Sequence, residues 1–127
     1  MAPAARAAYI LRPAQSAQVY LYMEPVDMRK SIDGLAALVE LEMELSPALE
    51  AIFVFCNRGR DKIKLLYWER NGFVVWYKRL EKQRFQWLRD ADFVYQLRTG
   101  RDLNQLLDGL NIWSQKPHRS IQFDSVT

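Results

Sequence analysis

Cationic side chains are concentrated in one segment of this 127-residue sequence. Between Arg58 and Arg89 lie ten Lys or Arg residues, opposed only by Asp61, Glu69 and Glu81. Ten bases against three acids give the segment a net charge of +7, so the rest of a chain with a formal charge of +3 carries −4. Lys and Arg neutralise phosphates and release counterions, which gives affinity without sequence preference. The charge asymmetry therefore predicts a polyanionic partner.

The predicted nucleic-acid contacts extend beyond this segment to a second pair of bases near a predicted helix start. Backbone N–H groups and cations at a helix start form a phosphate site, although side chains that reach solvent or pair with acids explain the same residues equally well. A lysine-protected sheet edge is the corresponding alternative for the main segment. The predicted contact residues are Arg29, Lys30, Arg58, Arg60, Lys62, Lys64, Lys78, Arg79, Lys82 and Arg84.

Aromatic residues are interleaved with these bases. Trp68 and Trp76 are the candidates for stacking on unpaired bases, with Tyr77, Phe85 and Trp87 close by in the sequence. Tryptophans in a sheet more often belong to the core, so a core position is the competing interpretation.

The sequence offers no pattern for catalysis. Its acidic residues show no metal-ligand spacing, and Asp27 and Asp61 are better explained as a helix cap and a turn residue. The sole histidine, His118, lies in a predicted tail that cannot hold a general base in register. The single Cys56 ends an apolar run and is interpreted as a small buried hydrophobe. We therefore predict no enzyme, no metal and no cofactor.

The elements that position the bases form a predicted three-stranded meander. Residues 51–56 are apolar and rich in β-branched and aromatic types, and residues 62–69 and 73–80 provide two further strands. Asn71 and Gly72 are predicted as the two central turn residues, because both tolerate positive φ. This turn would place Trp68 opposite Val75, Leu66 opposite Tyr77 and Lys64 opposite Arg79.

The flanking segments complete a predicted α+β fold. Residues 18–23 alternate as a strand, Asp27 caps a helix that ends before Ser46, and Asp102 caps a short helix stopped by Gly109. Residues 80–89 are compatible with a short strand, a helical turn or an extended arm, and residues 93–97 with a short strand or a loop, so the structure of residues 80–101 stays open. The expected architecture is a mostly antiparallel sheet (strand, helix, three-stranded meander) with one long and one short helix packed on it. The predicted layout is an N-terminal arm (1–17), one domain (18–113) and a flexible tail (114–127).

Composition narrows the class of protein. Half of the residues are hydrophobic and 13% are aromatic, which favours a globular domain over a disordered chain. No apolar run approaches the roughly 20 residues of a membrane helix, and residues 1–17 lack the apolar core of a secretory signal. One cysteine and one histidine exclude an internal disulfide and a Cys/His zinc cluster. These features fit a cytoplasmic protein without a membrane partner.

Several motifs in order resemble one known family. They are DMRK with DGL at residues 27–35, FVF-x-NR-x-RD-x-IKLL at 53–66, and WYKRLE with RF-x-W at 76–87. Over residues 19–113 the chain resembles the TnpB-type accessory protein, a second-open-reading-frame-like protein, of insertion sequences of family sixty-six. The resemblance implies a role in transposition beside a larger transposase and another accessory protein, without strand-cleaving activity.

Two functions remain open from the sequence. The first is DNA binding through the basic meander. The alternative is a protein-interaction module that docks on the transposase without contacting nucleic acid. An exposed edge strand would also permit a homo-oligomer.

Overall fold

The computed structural model describes residues 12–114, which contain five strands and two helices. In chain order they are β1 (Gln18–Tyr22), α1 (Ile32–Leu41), β2 (Ile52–Cys56), β3 (Lys62–Glu69), β4 (Gly72–Arg79), β5 (Tyr95–Thr99) and α2 (Gly100–Leu107). The predicted tail after Ser114 and most of the predicted arm lie outside the described residues. No helix in the described range is long and apolar enough to cross a membrane.

One sheet contains all five strands, in the order β4-β3-β2-β1-β5. β1 and β2 pair in parallel, whereas β2 with β3, β3 with β4, and β1 with β5 are antiparallel. The predicted α+β class, the mostly antiparallel sheet and the β2–β4 meander are thus confirmed. Because β1 and β2 run in the same direction, the loops that follow them emerge at the same end of the sheet.

Each face of the sheet supports its own core. Val54 and Leu65 pack on one side with Leu103 and Leu106 of α2. On the other side, Phe53 and Phe55 pack with Leu35 and Val39 of α1. Covering on both faces explains why β2 is an almost continuous apolar run instead of an alternating one.

Both helices differ in detail from the predicted ones. α1 begins after the N-cap Ser31, so Asp27 does not cap it. α2 begins at Gly100, and its N-cap is Thr99, whose Oγ1 accepts from the Asp102 backbone N–H at 3.3 Å. The helices have 10 and 8 residues, so the contrast between a long and a short helix is not confirmed. Gly109 follows α2 with φ of 90°, as a C-terminal stop requires.

The register of the β3–β4 hairpin differs from the predicted one by two residues. Lys62 lies opposite Arg79 and Lys64 opposite Tyr77, because the two turn residues are Arg70 and Asn71 and Gly72 already belongs to β4. Arg70 takes a φ of 54°. A shift of two residues changes the cross-strand partners but leaves every side chain on its predicted face.

Residues 80–94 connect β4 to β5 with no helix and no strand. The segment is nevertheless fixed to the β2–β3 loop, since Leu80 N–H donates to Asp61 O at 2.8 Å and Phe85 N–H donates to Arg60 O at 2.7 Å. The Phe85 side chain is buried in the α2-side core. Hydrogen bonds and burial together determine the path of this segment.

Candidate nucleic-acid interface

Two loops meet where β1 and β2 end. Residues 23–31 follow β1 and residues 57–61 follow β2, and Val26 N–H donates to Cys56 O at 2.9 Å between them. From β3, Lys64 Nζ donates to Met28 O at 2.7 Å and to Lys30 O at 2.9 Å. These bonds hold together segments that are about thirty residues apart in the sequence.

The β2–β3 loop is stitched by its own side chains. Asn57 Oδ1 accepts from the backbone N–H groups of Asp61 (3.1 Å) and Lys62 (3.0 Å), and Asn57 Nδ2 donates to Asp61 Oδ1 at 2.7 Å. The bond from Asn57, and then that from Lys62, lowers the pKa of the Asp61 carboxyl. Arg60 adopts a φ of 61°, and Arg58 is exposed. The stitching fixes the backbone from which both arginines extend.

The β1–α1 loop contains a tight turn at Asp27. Its Oδ1 accepts from Arg29 N–H at 2.9 Å, and its Oδ2 lies 2.7 Å from Arg29 Nη2. The bonds from Arg29 lower the pKa of Asp27 to about 2. The alternative in which these bases pair with acids therefore applies to Arg29, although its side chain is 90% exposed. Neither Arg29 nor Lys30 lies in the first turn of α1.

A third basic segment lies beside these loops. Lys82, Arg84 and Arg89 are exposed and have no carboxylate partner among residues 12–114. Their segment is fixed to the β2–β3 loop by the Phe85 and Leu80 hydrogen bonds. We refer to residues 23–31, 57–61 and 80–91 together as the loop end.

Two grooves flank Arg58 at the loop end. The larger, about 640 Å³, is lined by Pro25, Val26, Asp27, Met28, Arg29, Asn57, Arg58, Gly59, Lys62 and Tyr77. The smaller, about 190 Å³, is lined by Met23, Glu24, Pro25, Asn57, Arg58, Arg60, Trp87, Leu88, Arg89, Asp90 and Ala91. Each groove has three cationic residues, against one acidic residue in the larger and two in the smaller. Anions would therefore be attracted to both.

The structure divides the ten predicted contact residues into two groups. Three are paired with carboxylates (Arg29 with Asp27, Lys62 with Asp61, Arg79 with Glu81) and two with backbone carbonyls (Lys64 and Lys78). Among residues 12–114, the other five have no carboxylate partner: Lys30, Arg58, Arg60, Lys82 and Arg84. All five of these residues lie at the loop end. The predicted contacts without a carboxylate partner in the described range thus lie on loops and not on the faces of the meander.

Lys78 lies on the opposite face of the sheet from Lys62, Lys64 and Arg79. Its Nζ donates to Leu107 O, at the end of α2, at 2.9 Å. Burial lowers the pKa of Lys78, with the charge of Arg12 as a second cause. A cation at the carboxyl end of a helix is a favourable structural arrangement. Nothing in the local sequence signals this contact, because Leu107 is distant in the chain.

Neither candidate stacking tryptophan lines one of the two grooves. Trp76 packs against the α2-side core, and Trp68 is 40% exposed with its ring edge-on to Phe73 near the hairpin turn. Six residues of strand separate Trp68 from Lys62, which is about 20 Å. Tyr77 lines the larger groove and is 50% exposed. Among the aromatic residues beside the bases, Tyr77 therefore has the geometry that stacking requires.

The described range contains no metal-ligand cluster, and its one cysteine is buried. Among residues 12–114 no three His, Cys, Asp or Glu side chains form a group that could hold a metal ion. Cys56 is fully buried, and burial raises the pKa of its thiol to about 12, which suits a core residue and not a nucleophile.

The fold and this site define a small α+β protein that presents basic loops at one end of its sheet. Residues 17–117 match the family described as IS66 Orf2 like protein, and the chain belongs to that family, as its motifs predicted.

Two relatives come from Sinorhizobium fredii. The chain is 30% identical over 76 residues to the uncharacterized protein y4jC, covering 60% of this chain and 65% of that protein. It is 30% identical over 78 residues to the uncharacterized protein y4hO, covering 61% of this chain and 68% of that protein. The chain thus spans about two thirds of the length of these relatives. No solved structure matches it.

Proposed function

We propose that this protein is a non-catalytic accessory factor of insertion-sequence transposition that binds DNA through the loop end. One observation carries the proposal. Hydrogen bonds from Val26 to Cys56 and from Phe85 to Arg60 bring three separate basic segments to one end of the sheet. Because the backbone of these segments is already fixed, only the side chains lose conformational freedom when a phosphate binds, which favours affinity.

The position of Arg58 supports this proposal further. It is exposed, it borders both grooves, and it has no carboxylate partner in the described part of the chain. A phosphate chain that crosses Arg58 would meet cations on both sides. Arg84 and Lys82 extend this charge along the segment after β4, so several consecutive phosphates could be neutralised.

The test compares two charge reversals of equal size. Arg58→Glu with Arg84→Glu removes two loop-end cations, whereas Arg70→Glu with Arg101→Glu removes two exposed cations outside the loop end. At about 0.1 M salt, we expect the first pair to weaken duplex and single-stranded DNA binding at least tenfold and to reduce the log–log salt slope by about 2. The control pair should change affinity by less than about threefold. Equal losses from both pairs would show that only net charge matters.

Docking on the transposase is the second candidate. Exposed apolar residues lie at the β5 edge of the sheet: Phe93 and Val94 directly before β5, and Leu97 within it. This function predicts that the element's transposase copurifies with the wild-type protein and that Leu97→Asp abolishes the copurification. It would be favoured if the wild-type protein also failed to bind DNA at low salt. β4 and β5 are both sheet edges, so pairing between two copies also remains a prediction.

A further inference from the structure

We propose that the larger groove seats an unpaired nucleotide of single-stranded DNA, with its base against Tyr77 and its phosphate at Arg58. This inference rests on the proposed DNA-binding function and specifies the form of DNA. The groove has a volume of about 640 Å³, within the range of about 300–1,000 Å³ that is typical of sites for small ligands.

The groove combines two kinds of lining that a nucleotide needs. Pro25, Val26, Met28 and Tyr77 provide an apolar wall suited to a base. Arg29, Arg58 and Lys62 provide charge suited to a phosphate. A duplex presents phosphates but keeps its bases stacked, so it would use the charges and leave the apolar wall unoccupied.

Tyr77 is held in place from beneath the groove. Its cross-strand partner Lys64 lies with Nζ 5.2 Å from the ring centroid, and the same ammonium is anchored on Met28 O and Lys30 O. Half of Tyr77 nevertheless remains exposed. An exposed ring that is already fixed can stack on a base without a large further loss of side-chain entropy.

Arg29 and Lys62 line the groove, and each is paired with an acid, Arg29 with Asp27 and Lys62 with Asp61. Both acids also hold the loop turns through backbone or amide hydrogen bonds. Arg58 has no such partner within residues 12–114 and is the groove's cation available without breaking an ion pair. The phosphate is therefore assigned to Arg58.

The experiment replaces the aromatic ring with a smaller apolar side chain. Tyr77→Leu should weaken binding of an oligothymidylate of about twelve nucleotides by about five- to fiftyfold, because stacking on an aromatic ring is lost. Tyr77→Phe should bind as the wild type does. Affinity for a duplex of equal length should change by less than about twofold, and the salt slope should be unchanged for both DNAs.

An abasic oligonucleotide with the same phosphates separates stacking from structural damage. Tyr77→Leu should bind this probe as tightly as the wild-type protein does, whereas a distorted loop end would weaken it. Trp68→Leu is the matched control, because Trp68 is a similarly exposed aromatic residue outside the groove. It should leave oligothymidylate binding unchanged.

Two outcomes would overturn the inference: an equal loss for oligothymidylate, duplex and abasic probe, or no loss for any of them. If Arg58→Glu with Arg84→Glu still weakens both DNAs, the DNA-binding proposal survives and only the nucleotide seat fails. If that double variant also binds normally, the proposed function itself fails. Oligouridylate that binds as tightly as oligothymidylate and depends equally on Tyr77 would reassign the seat to unpaired RNA.

Discussion

The two turns of the β2–β3–β4 meander share one backbone feature but differ in length, in charge and in their surroundings. Each contains an arginine with left-handed φ, 61° at Arg60 and 54° at Arg70. Asn57 and Asp61 bond across the first turn, and residues 80–85 are hydrogen-bonded to it. In the described part of the chain, the second turn has only the backbone bond from Asn71 N–H to Glu69 O.

This difference shows how the same residue types give a binding surface in one place and a plain hairpin in another. An arginine on a turn without such contacts is one mobile charge in solvent and contributes little free energy to binding on its own. An arginine on a turn that is fixed by its own side chains and by neighbouring segments becomes part of a group of charges at defined spacing. The comparison predicts that paired substitutions in the two turns will have unequal effects.

The largest difference is expected for the two turn asparagines. Asn57→Ala removes three side-chain hydrogen bonds and leaves partly buried backbone donors unsatisfied, so the free energy of unfolding should fall by about 2–4 kcal/mol. Asn71→Ala removes no side-chain hydrogen bond of the described residues and should cost less than about 0.5 kcal/mol. Urea unfolding of both variants measures the difference.

Thiol labelling of Cys56 provides a local readout of the same change. The cysteine immediately precedes the stitched turn and is fully buried. Asn57→Ala should accelerate labelling by a disulfide reagent under native conditions, whereas Asn71→Ala should not. Similar unfolding energies and labelling rates in the two variants would show that the side-chain bonds do not stabilise the first turn.

The next effect concerns the two left-handed arginines. Arg60→Gly and Arg70→Gly both relieve an unfavourable φ and both increase the freedom of the unfolded chain, so each should change the free energy of unfolding by less than about 1 kcal/mol. The two variants should differ in their affinity for DNA, because Arg60 lines a loop-end groove and Arg70 does not. We expect a loss of about three- to tenfold for Arg60→Gly and none for Arg70→Gly in a fluorescence anisotropy titration.

The sequence predicted the elements well because their signals are local. Apolar runs identified β2, β3 and β4, and the face of each side chain survived even the wrong turn, since the register error was two residues. The prediction that Asp27 caps α1 is wrong, and the reason is also local. Its carboxylate does accept a backbone N–H two residues on, as a cap would, but it does so in a turn that precedes Ser31 and α1.

The sequence predicted which residue types form the candidate site, but not which of them lie together. The basic residues predicted a polyanionic partner. Their grouping, however, depends on the parallel pairing of β1 and β2, which brings residues 23–31 beside residues 57–61. Such pairing is a long-range property that no window of sequence contains. The same limit explains Lys78, which looked like a phosphate contact and instead bonds to Leu107 O at the end of α2.

A third prediction uses the charge at the first turn. Hydrogen bonds from Asn57 and Lys62 lower the pKa of Asp61 below its model-peptide value of 3.8. A carboxyl whose pKa is lower in the folded protein stabilises the fold fully above its unfolded pKa, and this contribution disappears as the pH falls through the folded pKa. NMR titration should place Asp61 below 3.8, and Asn57→Ala should raise it.

The smallest effect is expected at two glycines, Gly59 in the first turn and Gly72 directly after the second, neither of which has a positive φ. A Cβ at Gly72 would meet nothing within 4 Å, so Gly72→Ala should stabilise the protein by about 0.5 kcal/mol through the unfolded state. A Cβ at Gly59 would lie 3.3 Å from Asp61 Oδ1 and 3.5 Å from Asn57 Nδ2, in contact with the side chains that stitch the turn. Gly59→Ala should therefore gain less than Gly72→Ala in thermal unfolding. An equal gain in stability would mean that the first turn accommodates an added methyl group as easily as the position after the second turn does. The contrast between the two turns would then depend on charge alone.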